Sequence, residues 1–191
     1  MNRFRTLLIW QMFKTDEYLQ QFDYYLNVDA DLFVLTDMTA DPLQTMAEKK
    51  CTFFTGREQR DAVGCYEGQK EATLEFASAH GVKIDTPLYP DNVQPIEPGV
   101  TFWGGFNAAD IRFFTTEAHL KYADYINEIG KIYTMRWNDQ GHFPLAIALM
   151  HEQGLNSVCH DPGIFDNEQL RKHHHGGASD PAVKAACVPD W

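Results

Sequence analysis

The run Tyr24-Tyr25-Leu26-Asn27-Val28-Asp29-Ala30-Asp31 ends an apolar, β-rich stretch in two carboxylates spaced two apart. In an extended chain Asp29 and Asp31 point to the same side. Both cannot face a core without compensation, because buried unpaired charge is costly. At the carboxyl end of a strand in an open α/β sheet they would stand in the ligand crevice. Hard oxygen ligands there suit Mn²⁺ or Mg²⁺ shared with a substrate phosphate. The alternative is a pair of solvated turn carboxylates. An EF-hand is excluded, since Val34 occupies the position that needs glycine.

Three further segments carry candidate chemistry. In Phe102-Trp103-Gly104-Gly105-Phe106-Asn107, the glycines Gly104 and Gly105 let backbone approach a ligand, and Asn107 suits hydroxyls. A β-bulge without a ligand explains the same glycines. In Arg136-Trp137-Asn138-Asp139-Gln140, the polar pair Asp139 and Gln140 can bond sugar-like hydroxyls, and Trp103 and Trp137 can cover the apolar face of a sugar. Asp139 serves equally as a helix cap. In His160-Asp161-Pro162-Gly163, His160 follows the last strand and is a candidate third metal ligand, or a structural histidine. The triple His173-His174-His175 lies in a Gly/Pro tail and fits adventitious metal binding.

These residues need elements to position them. Helical spacing runs over 4–22 with a break near Lys14-Glu17, followed by a strand over 24–28 and renewed apolar character at 32–35. A helix is expected over 43–49, a strand over 51–55, and a helix over 67–80 stopped by Gly81. The proline-rich stretch 85–99 reads as a loop or lid. A strand over 101–106 breaks at the two glycines, and a helix over 116–128 ends at Gly130. The next helix is expected from about Phe143 to Glu152, with Asp139 as its cap and Pro144 in its first turn. A last strand covers 155–159. Strands alternating with helices indicate an α/β layered domain.

The 191 residues make one ordinary domain. Residues 1–170 form it, and residues 171–191 read as a poorly ordered His/Gly/Pro tail. Twenty-seven acidic against 16 basic residues give a net charge of −11, which argues against a nucleic-acid partner. No stretch approaches a transmembrane helix. Cys51, Cys65, Cys159 and Cys187 form no C-x-x-C pair, so a zinc ribbon is out. Two disulfides or four free thiols both remain open.

Taken together, the segments resemble metal-dependent nucleotide-sugar glycosyltransferases of the GT-A fold, nearest to the fungal-type retaining α-1,2-mannosyltransferases of glycosyltransferase family 15. Tyr24-Tyr25 through Asp31, with Asp41-Pro42 after it, is similar to that family's Tyr-Tyr-Trp-Arg-Val-Glu-Pro-Asp and Asp-Pro-Phe. Phe102-Trp103 through Phe114 resembles its Phe-Trp-Ser-Asn-Phe-Glu-Ile-Ala-Asp segment, and Arg136-Trp137-Asn138-Asp139 its Arg-Trp-Gly-Asp block. The family's glutamate, a proposed nucleophile, falls at Asn107. Asp139-Gln140 looks like the Asp-Gln of other retaining families and of a virus-encoded relative. The likeness covers roughly residues 1–165.

The resemblance implies a GT-A-like mixed sheet flanked by helices, N-terminally short because two strand–helix units usually precede the carboxylates. It implies Asp29, Asp31 and His160 as ligands of Mn²⁺ or Mg²⁺, and a nucleotide-diphosphate sugar as donor. Asp29, Gly104, Gly105 and Trp137 would hold that donor, with Asp139, Asn107 and Gln140 at the reacting centre. The partners are a nucleotide sugar and a carbohydrate acceptor. A eukaryotic member would work in the Golgi or secretory lumen, a viral or bacterial one in the cytoplasm. The alternatives are a degenerate module that binds a glycan or nucleotide sugar without turnover, and a metal-storing or structural domain.

Overall fold

A computed structural model describes residues 10–30, 32–34, 37–38, 40–85, 99–161 and 170–172. Asp31, the 86–98 loop, His173 to His175 and Cys187 lie outside the described residues.

Residues 10–15 form helix α1, and a single 3-10 turn spans Leu19–Gln21. The chain continues through β1 (Tyr24–Val28), β2 (Leu32–Val34), α2 (Pro42–Lys49), β3 (Phe53–Thr55), β4 (Glu58–Arg60), α3 (Val63–Tyr66) and α4 (Gln69–His80). It then forms β5 (Val100–Phe102), β6 (Phe106–Asp110), α5 (Ile111–Thr115), α6 (Glu117–Glu128), α7 (Lys131–Thr134), α8 (Asp139–Leu149), β7 (Val158–His160) and β8 (Leu170–Lys172).

The central sheet has the order β1-β6-β3-β7. β6 runs antiparallel to β1 and β3, and β3 runs parallel to β7. This is the expected mixed sheet flanked by helices. Two small antiparallel ribbons, β2 with β8 and β4 with β5, stand beside it among the described residues. β8 extends two residues past the expected boundary of the tail.

Alternation along the strands decides the layers. Tyr25, Phe53, Ala109 and Val158 share one face and join the large core built with α4, α5, α6 and α8. Their neighbours Tyr24, Phe54, Ala108 and Cys159 share the other face and pack with Met46 of α2. Cys51 and Cys159 form a disulfide within this second layer, with Cα atoms 5.7 Å apart. Cys65 is also disulfide-bonded.

Several elements depart from the expected ones. The helical spacing after residue 15 yields only the 3-10 turn. The strand expected over 101–106 does break at Gly104-Gly105 as the glycines suggested: β5 pairs with β4, and β6, running on to Asp110, pairs with β3. β4, α3 and α5 have no counterpart in the sequence expectation.

Helix α8 begins at Asp139, four residues earlier than expected, and its cap is Asn138. The Asn138 Oδ1 accepts from the Gly141 N–H at 3.0 Å. Asp139 is therefore the first helical residue and not the cap. Pro144 sits inside the helix, not in its first turn. Its missing N–H removes the i+4 donor that the Gln140 carbonyl would otherwise have. The helix tolerates Gly141 and Pro144 because nearly every residue from 141 to 149 is buried against β5, α4 and α6, and that packing outweighs propensity.

Candidate active site

The last register of the sheet forms a polar row. Asn27 pairs with Asn107, Asn107 with Thr55, and Thr55 with His160, so one residue from each strand stands side by side. Each lies two positions from an apolar residue of the main core, so all four side chains stand on the α8 face. The face is apolar in its interior and turns polar at the edge where β1, β3 and β7 end. Asn107 and Thr55 are buried, Asn27 is half-buried and His160 is exposed.

The glycine turn fits into this row. The Gly104 carbonyl accepts from Asn27 Nδ2 at 2.5 Å and from Asn107 Nδ2 at 3.1 Å. Asn107 Oδ1 is buried and has no hydrogen-bond partner. Asp29, just past β1, donates its backbone N–H to the Gly105 carbonyl at 2.9 Å. Close approach rather than φ constrains both glycines, Gly105 the more tightly. A Cβ on Gly105 would run into the Trp103 ring, and one on Gly104 would meet the Gln140 side chain at 3.0 Å. Gln140 is held from the other side, its Oε1 accepting from Gln59 Nε2 at 2.7 Å.

Asp29, Gly104, Gly105, Asn107, Gln140 and His160 thus share one edge. Asp139 is 4% exposed at the first turn of α8. Trp137 does not face a ligand. It is 1% exposed, its indole N–H donates to the Glu67 carbonyl at 2.9 Å, and its ring lies 5.6 Å from Lys131 Nζ and packs against His142. At 1% exposure the indole presents no ring face to solvent, unlike the sugar-covering placement that the sequence suggested. Trp103 keeps partial exposure.

Four polar residues here were not foreseen. Asn27 and Thr55 enter only through strand register, which the sequence does not reveal. Gln59 enters through β4. Asp61 accepts from Asn138 Nδ2 at 3.4 Å. Burial raises its carboxyl above the ordinary range, against the lowering pull of Asn138 and Arg136.

Carboxylate oxygen and imidazole nitrogen are donors that Mn²⁺ accepts, so the donor types of Asp29 and His160 fit such an ion. Among the described residues no group of three His, Cys, Asp or Glu side chains stands together. The sheet order separates the ends of β1 and β7 by three strand spacings, about 14 Å. The described part of the donor set is thus two residues at opposite ends of the row.

Comparison with known proteins identifies the class. The sheet and its helices superpose on core-mannan synthase A of Aspergillus fumigatus, solved in its Mn/GDP form. The TM-score is 0.66 at 15% identity, covering 83% of this chain and 45% of the other. They also match the mannosyltransferase Ktr4p of S. cerevisiae, with a TM-score of 0.64 at 18% identity over 88% of this chain and 46% of that one. The fold is the GT-A-like fold of these glycosyltransferases. The chain belongs to the glycolipid 2-α-mannosyltransferase family, whose model matches residues 1–169. Among curated relatives, the O-glycoside α-1,2-mannosyltransferase omh1 of Schizosaccharomyces pombe is 25% identical over an alignment of 185 residues that covers 90% of this chain and 44% of omh1. Glycolipid 2-α-mannosyltransferase 1 of Candida albicans is 23% identical over an alignment of 169 residues that covers 86% of this chain and 38% of that protein. The chain spans less than half the length of these relatives. Among the described residues, no helix is long and apolar enough to cross a membrane.

Proposed function

We propose that the chain carries the reaction edge of a metal-dependent mannosyltransferase, which moves mannose from GDP-mannose to a hydroxyl of a glycan acceptor. The observation that carries this reading is the polar row Asn27–Asn107–Thr55–His160, with Asp29 and the Gly104-Gly105 turn at one end and Gln140 against it. Family membership and the Mn/GDP form of a structural relative supply the donor and the ion. Asp29 and Asp31 would hold Mn²⁺ from the end of β1, and His160, at the far end of the row, would complete the donor set by reaching toward the ion across it. The ion, when bound, supplies charge stabilisation for the departing diphosphate.

The rest falls to this chain's own side chains. Gln140 and Asp139 would fix donor hydroxyls from the start of α8, and the Gly104-Gly105 backbone would line the reacting face. Asn107 is an amide and cannot attack as a carboxylate does. Departure and attack on the same face of the sugar, with retention, therefore suit this edge better than a covalent intermediate on residue 107. The disulfide Cys51–Cys159 suits an oxidising compartment such as a secretory lumen.

The same Asn107 favours a second reading, a module that holds a nucleotide sugar without turnover. One assay separates the two. Purified protein is given GDP-mannose and a mannoside acceptor with and without Mn²⁺, alongside Asp31→Asn and His160→Ala. Mn²⁺-dependent transfer lost in Asp31→Asn supports the enzyme. Saturable Mn²⁺-dependent binding without transfer supports the module. Neither transfer nor binding by the unaltered chain rejects both.

A further inference from the structure

A groove of about 540 Å³ opens at the end of the sheet opposite the polar row, where Tyr24, the first residue of β1, pairs with Asp110, the last of β6. The five residues of β1 put roughly 17 Å between it and Asp29. Its walls include Gln20, Phe22, Asp23, Tyr24, Arg112 and Thr115. The volume lies within the range of small-ligand sites, about 300–1,000 Å³. Nothing in the proposed transfer reaction uses it.

Its charge excludes one class of ligand. Arg112 Nε and one terminal nitrogen bind both carboxylate oxygens of Asp110, so the guanidinium is already neutralised. Asp23 adds a second carboxylate to the wall. With two carboxylates against one guanidinium, the lining repels phosphates and nucleotides.

Its hydrogen-bonding groups select another class. Gln20 spends its Nε2 on the carbonyls of Phe13 and Lys14, at 2.7 and 3.1 Å, which leaves Oε1 as an acceptor. Thr115 gives its hydroxyl hydrogen to the Arg112 carbonyl at 3.3 Å and keeps its lone pairs. With the Asp23 carboxylate, the groove is rich in acceptors and suits a ligand rich in O–H donors. Its apolar wall is aromatic. Phe22 is 49% exposed, and Tyr18, itself 65% exposed, braces it edge-on at 5.4 Å between centroids. A braced ring left half in water beside hydroxyl acceptors matches the two faces of a sugar, C–H on one side and O–H around the rim.

We propose that this groove is a second carbohydrate site, which holds a neutral hexose chain away from the reaction edge. Only the choice of mannose as the sugar rests on the proposed function. The test uses α-linked mannooligosaccharides of increasing length, without nucleotide or metal, so its outcome is independent of turnover. Calorimetry measures affinity, and amide shifts locate the sugar. The unaltered chain should bind, with shifts at Gln20 and Thr115. Phe22→Ala should weaken binding by roughly two- to tenfold, the loss expected for one aromatic contact. Phe22 contributes little to the core, so thermal melts should stay near normal. Asp23→Asn, which keeps the shape, should also weaken binding. Equal affinity in both variants, no binding of any neutral oligosaccharide, tighter binding of mannose 6-phosphate, or shifts confined to Asn107 and Gln140 would each overturn the proposal. Failure of GDP-mannose transfer would leave it standing.

Discussion

Asn107 donates its side-chain N–H to the carbonyl oxygen of Gly104, three residues back, at 3.1 Å. Asn27 donates to the same oxygen from the neighbouring strand. Two amides therefore fix the glycine turn, and the turn brings Gly104 against Gln140 of α8. A carboxylate at position 107 has no hydrogen to give and would set its charge against that carbonyl. Asn107→Asp should cost about 1–3 kcal/mol of stability at neutral pH, the usual cost of an unsatisfied buried group. The loss should shrink in acid, because the introduced carboxyl regains a donor once it is protonated. Denaturant unfolding at pH 7 and pH 4.5, each against the unaltered chain, measures both numbers. A loss independent of pH would mean that donation to Gly104 is not what the residue supplies.

The second layer depends on the bond between Cys51 and Cys159, which closes a loop of sequence separation 108. Both cysteines are buried beside Phe54 and Met46. The chain-entropy model gives about 4.7 kcal/mol for a loop near this length, and removal of native disulfides typically costs about 2–5 kcal/mol. Replacing both by alanine should lower stability by that amount and leave the cysteine at 65 untouched. Chemical denaturation of the double variant checks the value.

Acid should unfold the main core through two histidines. His119 and His142 are fully buried around Trp10, at ring distances of 5.1 and 5.6 Å. Desolvation pushes both down to about 3 from 6.5. Depressed values mean that the unfolded chain takes up protons the folded one refuses. Their stability is then complete above pH 6.5 and is lost as pH falls from 6.5 toward 3. While both sites are protonated only in the unfolded chain, the slope from this pair reaches about 2.7 kcal/mol per pH unit. Melting temperature followed from pH 8 to pH 4 tests this. His142→Asn should lower stability at pH 8 yet flatten the acid limb.

How much of this arrangement is legible in the sequence depends on how local the signal is. The strand Tyr24–Val28 and helices α4 and α6 follow from apolar spacing and from their ends: Gly81 takes the left-handed conformation after α4, and the Thr116 side chain caps α6. The start of α8 is hidden because Gly141 and Pro144 are poor helix residues, and only burial against β5, α4 and α6 overrides them. β6 is hidden because Asn, Ala and Asp are weak strand formers. Its identity comes from lying between β1 and β3. The candidate chemistry is legible as residue types, such as Asp29, Asn107, Gln140 and His160. Their alignment is not, since a row across four strands depends on strand order. Trp137 misleads because an indole packs in a core as readily as it covers a sugar, and only its contacts tell which.

If His160 serves the ion, the tail histidines should be dispensable. His160 ends β7 and is exposed at the same edge as Asp29. The triple His173-His174-His175 follows β8 in a stretch with two glycines and two prolines. His160→Ala should weaken Mn²⁺ binding in the presence of GDP by roughly tenfold or more, since even outer-shell partners of a metal site are worth that much. Replacing all three tail histidines by alanine should change it little. Calorimetry on both variants decides. Metal dependence that follows the tail would remove His160 from the site.

The most discriminating pair of substitutions lies at adjacent positions. Asn138 caps α8 through its Oδ1, and Asp139 is the buried residue that follows. Capping and chemistry, which the sequence places together on residue 139, therefore fall on different side chains. Asn138→Ala should cost about 1 kcal/mol of stability, as loss of a cap does, with turnover changed only slightly. Asp139→Asn keeps shape and helix position but removes a charge beside the reacting edge. If that charge acts on the cationic sugar centre of the transition state, its loss should amount to ~3 kcal/mol, on the order of a hundredfold in kcat. Donor affinity should fall far less, because a neutral bound sugar gains little from the charge. Thermal melts and steady-state transfer of mannose measured on the same two proteins separate the effects. A large drop in melting temperature for Asp139→Asn with near-normal turnover would make Asp139 a structural carboxylate. Catalytic weight would then shift to Gln140 and the glycine turn.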